Sequence, residues 1–195
     1  MDNVLEQLPA AIKQAHERII GERVVAKEEK ILSLYEKETQ VLVRGKAGAR
    51  VEFGNTLLLV ENLQGLIVDW ELFKEMAPSD TRLVKPSLER IKAELGVAKG
   101  LGTDRGFASK ANEKYLEEEG IYNGMFPKGV GALKERMKEE PFRAMQTRRS
   151  QTEGRIGIFK NVYYGESGVA KGYEHRKQAV IWAVLTHNLA VMAGL

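Results

Sequence analysis

The apolar residues change period near residue 30, and that change constrains the fold more than any other feature. Before it, Leu5, Leu8, Ile12, Ala15, Ile19 and Ile20 recur at three-to-four spacing with charges between them. That spacing predicts an amphipathic helix over about 4–29. Pro9 fits such a helix only in its first turn, where the missing N–H costs nothing. After the change, residues 30–35 (KILSLY), 39–44 (TQVLVR), 51–61 (VEFGNTLLLVE) and 66–73 (LIVDWELF) read as strands. Residues 62–65 are a turn, so the last two strands form a hairpin. The stretch 51–60 is apolar on both faces, which predicts a central strand.

From Pro78 onward helices and short strands alternate. A helix over 81–94 is capped by Ser79 or Asp80 and followed by Gly96. A Gly-rich strand follows at 97–103, then a helix over 109–119 closed by Gly120, and a strand candidate at 121–126. Helices over 130–139, 142–162 and 173–192 complete the chain, the last apolar almost all round and expected to be buried. The order predicts an α/β fold: an N-terminal helix over 1–29, then a domain over 30–195 built on a mixed sheet flanked by helices.

Composition narrows the class. The 195 residues contain no Cys, which excludes disulfide frameworks and Cys-ligated zinc or iron–sulfur sites. The longest apolar run, Ala179–Leu185, is far short of the roughly 20 residues that cross a bilayer. The N-terminus has no signal-peptide core, so a cytoplasmic protein without a membrane partner is expected. The net charge of +3 is unevenly spread. Between Lys128 and Lys160, nine Lys/Arg against four Glu leave a local surplus of five, where a polyanion would be met.

Two segments carry candidate chemistry. In Gly102–Phe107 (GTDRGF), Asp104 stands at a strand end among glycines, where ligands approach α/β sheets. Local sequence also allows an ordinary helix-capping aspartate. In Arg148–Lys160, helical spacing puts Arg149, Glu153, Gly157 and Lys160 on one face. That face reads either as one carboxylate among phosphate-binding cations or as a solvated ion pair. With oxygen ligands, no Cys and three His, the pair of segments suits Mg²⁺ or Mn²⁺ rather than zinc. His187 and the two tryptophans, Trp70 and Trp182, read as core residues. Lys46 and Arg50, in a Gly-rich turn, read as DNA contacts or as solvated cations.

The chain resembles the C-terminal part of bacterial insertion-sequence DDE transposases. The resemblance rests on residues 30–36 (KILSLYE), 44–48 (RGKAG) with 51–54 (VEFG), 77–80 (APSD), 104–107 (DRGF), 153–156 (EGRI) and 186–189 (THNL), in that order. It implies a ribonuclease H-like catalytic domain whose Asp–Asp–Glu triad binds divalent metal ions and cleaves and joins DNA. Asp104 matches the second aspartate and Glu153 the glutamate, both as metal ligands. The first aspartate is expected on a strand upstream of Met1, so the domain is expected to be N-terminally truncated. Asp69 and Asp80 do not match the first position. Arg148, Arg149, Arg155 and Lys160 are expected to hold DNA phosphates at transposon ends and target, in a possible homo-oligomer. The alternative is an inactive DNA-binding or dimerising remnant. A nucleotide-binding α/β enzyme would need a phosphate cradle, and neither Gly45-Lys46 nor Gly100, Gly102 and Gly106 has the spacing of one.

Overall fold

A computed structural model describes residues 2–26, 29–36, 39–43, 51–165 and 170–194. The chain is a mixed α/β protein that divides into two compact units. One comprises Met1–Thr56, Leu72–Met76 and Ser167–Gln178, the other Leu57–Glu71, Ala77–Glu166 and Ala179–Leu195. The turn holding Lys46 and Arg50 lies outside the described residues.

The first unit opens with α1 (Asp2–Ile19). The helix stops about ten residues earlier than its sequence suggests, at Gly21, whose N–H and that of Ile20 both donate to the His16 carbonyl. Pro9 lies inside the helix, not in its first turn, and leaves one carbonyl of the preceding turn without its helical donor. The strand expected at 30–35 is absent: the segment is irregular. Its backbone is satisfied by side chains of α1, Gln14 bonding both the N–H and the carbonyl of Ile31 (2.7 and 3.1 Å) and Gln7 donating to the Leu34 carbonyl. β1 (Gln40–Val43) and β2 (Val51–Gly54) pair antiparallel, Gln40 opposite Gly54 and Val43 opposite Val51.

The polar centre of this unit is Arg176, which is buried. Its Nη1 donates to Glu36 Oε2 (2.5 Å) and its Nε to Asn55 Oδ1 (2.8 Å). Glu36 Oε1 also accepts from the Gly172 N–H. The Arg176 guanidinium, helped by that N–H and by Thr39, holds the Glu36 carboxyl below its ordinary value, against the opposing effect of burial.

In the second unit, β3 (Leu57–Glu61) and β4 (Ile67–Leu72, its last residue falling in the first unit) pair as a hairpin. Asn62 makes the turn: its Oδ1 accepts from the N–H groups of Gln64 and Leu66, and Gly65 takes φ 90°. The single strand expected over 51–61 is therefore two, broken at Asn55–Thr56 after Gly54, which has φ 147°. Every residue of β3 is half-buried.

α2 (Asp80–Leu95) buries Leu83, Val84, Leu88 and Ile91 and ends at Gly96 with φ 89°. β5 (Gly100–Leu101) and β6 (Tyr122–Asn123) are parallel. Main-chain bonds extend their pairing at both ends, from Tyr122 to the Lys99 carbonyl and from Phe126 to the Thr103 carbonyl. Between them lie a 3₁₀ turn (Arg105–Phe107) and α3 (Lys110–Glu118), capped by Ser109, whose side chain accepts from the Asn112 N–H. Val84 and Leu88 of α2 close the core with Ala108, Leu116, Ile121 and Met125. The described strands thus form three two-stranded sheets rather than one mixed sheet.

α4 (Val130–Arg136) leads into α5 (Glu140–Ile158), which continues as a π-helical segment, Phe159–Tyr164. α6 (Tyr173–Ala193) closes the chain. It is buried only at Arg176, Val180, Ala183, Val184 and His187, whereas Trp182, Leu185, Leu189 and Met192 are exposed. The expectations of a wholly buried last helix and of a core Trp182 are thus corrected. A helix apolar all round does not itself say how many of its faces are covered. No helix among the described residues is long and apolar enough to cross a membrane.

Candidate functional site

The parallel pair β5–β6 sets up the site. Thr103 and Phe126 are bonded neighbours just past the strand ends, and Asp104 follows Thr103. The Asp104 carboxylate is exposed and makes no capping bond to the 3₁₀ turn it precedes. Asp104 thus stands at the N-cap position of that turn without the side-chain bond of a capping aspartate.

The turn after Asp104 packs on the start of α2. A Cβ on Gly106 would lie 2.6 Å from Asp80 Oδ2, so glycine is what lets that carboxylate approach. Asn112 of α3 ties the corner, its Nδ2 donating to the carbonyls of Thr81 (2.9 Å) and Phe107 (2.8 Å). The segments APSD (77–80) and DRGF (104–107) therefore meet. Asp80, which does not match the first aspartate of the resemblance, lies against Gly106, two residues past Asp104. The readable signal was its position ahead of a helix, where an acid also serves as an ordinary dipole partner.

α5 supplies the other side. Its Met145 packs on Gly100 and Gly124 of the parallel pair. One turn on, the Arg149 guanidinium lies over the Phe126 ring, 5.8 Å from the centroid, and Arg105 lies over the same ring at 5.2 Å. Arg149 also bonds Glu153, one turn further along. Phe126 thus gathers the residue after Asp104 and the cation that holds Glu153.

The remaining cations divide. Glu61, at the end of β3, faces Arg148 (3.6 Å) and Arg155 (3.3 Å) and accepts from Thr152. Its side chain is 10% exposed, so these two arginines are held at the hairpin. Lys160 is exposed, in the π segment. Across that boundary the α-helical spacing that grouped it with Arg149 and Glu153 no longer holds. Asp69 is buried and saturated by Ser87 (2.6 Å) and both arms of Arg90 (2.9 Å each), a structural carboxylate. His187 is buried as expected, its Nε2 3.0 Å from the Gly65 carbonyl oxygen, while its Nδ1 has no partner among the described residues. Asn188 bonds both the N–H and the carbonyl of Ile67.

Among the described residues, no group of three or more His, Cys, Asp or Glu is arranged to hold a metal ion. Asp104 and Glu153 do not make a metal site by themselves. Comparison of the chain with protein-family models, curated proteins and solved structures finds no match.

Proposed function

We propose that the chain is part of a ribonuclease H-like DDE transposase domain, acting on DNA phosphodiester bonds at transposon ends and target. The observation that carries this reading is the shared Phe126 ring, which gathers Arg105 beside Asp104 and Arg149 on Glu153. An exposed acid past the ends of parallel strands, with a glutamate on a neighbouring helix, is the disposition the resemblance calls for. The reading requires a further carboxylate from outside the described residues before Mg²⁺ or Mn²⁺ is held. Such an ion, when bound, supplies an activated hydroxyl and charge neutralisation at phosphorus.

The chain's own residues have defined tasks in this account. Arg149 holds Glu153 until a cation competes for it. Arg105, Arg149 and the exposed Lys160 meet the DNA backbone. Arg148 and Arg155, paired with Glu61, fix α5 against the hairpin and reach DNA only by giving up that pair.

A second reading, a DNA-binding or dimerising remnant without catalysis, is favoured by the lack of a three-carboxylate cluster among the described residues. The deciding experiment is Mg²⁺-dependent nicking of DNA bearing the element's ends, by this chain and by a version extended upstream. The extended version nicks, and Asp104→Ala or Glu153→Ala abolishes it. Activity that survives either substitution overturns the assignment. Salt-dependent binding by both versions without cleavage selects the second reading.

A further inference from the structure

α1 presents its faces the wrong way round for a helix that packs only on its own chain. Residues 4, 7, 11, 14 and 17 are half-buried, and Gln7 and Gln14 of that face bond the main chain of residues 31–34. Apart from Val4 and Ala11 of that face, the apolar residues point away: Leu5 is 66% exposed, Leu8 40%, Ile12 62% and Ile19 74%. With Ala15, also exposed, they alternate by three and four residues, the seam of a two-stranded coiled coil.

We propose that this seam docks a second copy of the chain, with the two α1 helices antiparallel. Area supports a second copy: two such seams bury on the order of 1,000 Å², the threshold for a specific interface. Charge sets the direction. The first turns carry Asp2 and Glu6, and the second half carries Lys13, His16 and Arg18 against one acid, Glu17. Antiparallel pairing lays the acidic end of one helix along the basic half of the other, whereas parallel pairing stacks like on like. At full overlap, Leu8 of each copy meets Ile12 of its partner, and Leu5 meets Ala15. The two-fold relation makes the surface self-complementary.

Sedimentation of the full chain over a range of concentrations tests this. The expected result is a reversible dimer, converted to monomer by Ile12→Glu with unchanged circular dichroism. Direction is read by cross-linking, since the chain has no Cys of its own. A Leu5→Cys chain mixed with an Ala15→Cys chain forms the mixed disulfide in excess over either symmetric one. A monomer at all concentrations, a dimer that persists in Ile12→Glu, or a predominant Leu5→Cys homodisulfide overturns the proposal.

Discussion

Two kinds of residue carry this structure: glycines at close approaches and ions at buried pairs. Gly124 is the tightest glycine. A Cβ there would meet the Leu101 carbonyl oxygen at 2.9 Å and the Met145 side chain as well. Backbone cannot yield, so Gly124→Ala costs about 1–3 kcal/mol, measured by denaturant unfolding. Gly106→Ala meets only the Asp80 carboxylate, which swings aside, and its cost stays below about 1 kcal/mol. Glu36 shows what pH does. Its carboxyl is held below the ordinary value of 4.5 chiefly by Arg176. A depressed acid contributes stability that is present above its unfolded value and lost as pH falls through its lower folded value. The wild type's thermal stability therefore falls on acidification below about pH 4.5. Glu36→Gln is less stable than wild type at pH 7 and has a flatter profile in that window.

At the scale of elements, the orientation of α5 decides where Glu153 faces, and Glu61 sets it. Three donors of α5 converge on that one carboxylate, from Arg148, Thr152 and Arg155. Glu61→Leu strands two arginines and destabilises by about 3 kcal/mol. A double-mutant cycle with Arg155→Met recovers part of that loss as coupling. Elements with strong local signals were legible in the sequence: α2 between Ser79 and Gly96, α3 behind the Ser109 cap, and the Asn62–Gly65 turn. Residues 30–35 were not, because two glutamines 17 and 27 positions away in sequence satisfy their backbone, a tertiary bond that no local period reports. The exposed stripe of α6 was hidden for the opposite reason: an all-apolar helix carries no period to say which side is covered. The residues of the candidate site were legible only in part. Asp104 and Glu153 were visible from their segments, but Phe126 and Asp80 owe their places to a parallel pairing and a glycine contact that appear only on folding.

For the whole molecule, the two compact units hold different features. The first holds the Arg176 centre and the α1 seam, and the second holds Asp104, Phe126, Glu153 and the cations around them. The basic surplus between Lys128 and Lys160 belongs to the second unit. The central claim is that Asp104 and Glu153 serve one site around Phe126. Manganese titration of the isotope-labelled version extended upstream, which can supply the further carboxylate, followed by paramagnetic broadening of its amide signals, tests this most directly. The account predicts that amides of 104–107 and of 152–154 broaden together, that Arg149→Ala lowers the Mn²⁺ concentration required, and that Asp104→Asn removes broadening from both segments. Broadening of one segment alone, or broadening at Glu153 that survives Asp104→Asn, would contradict it.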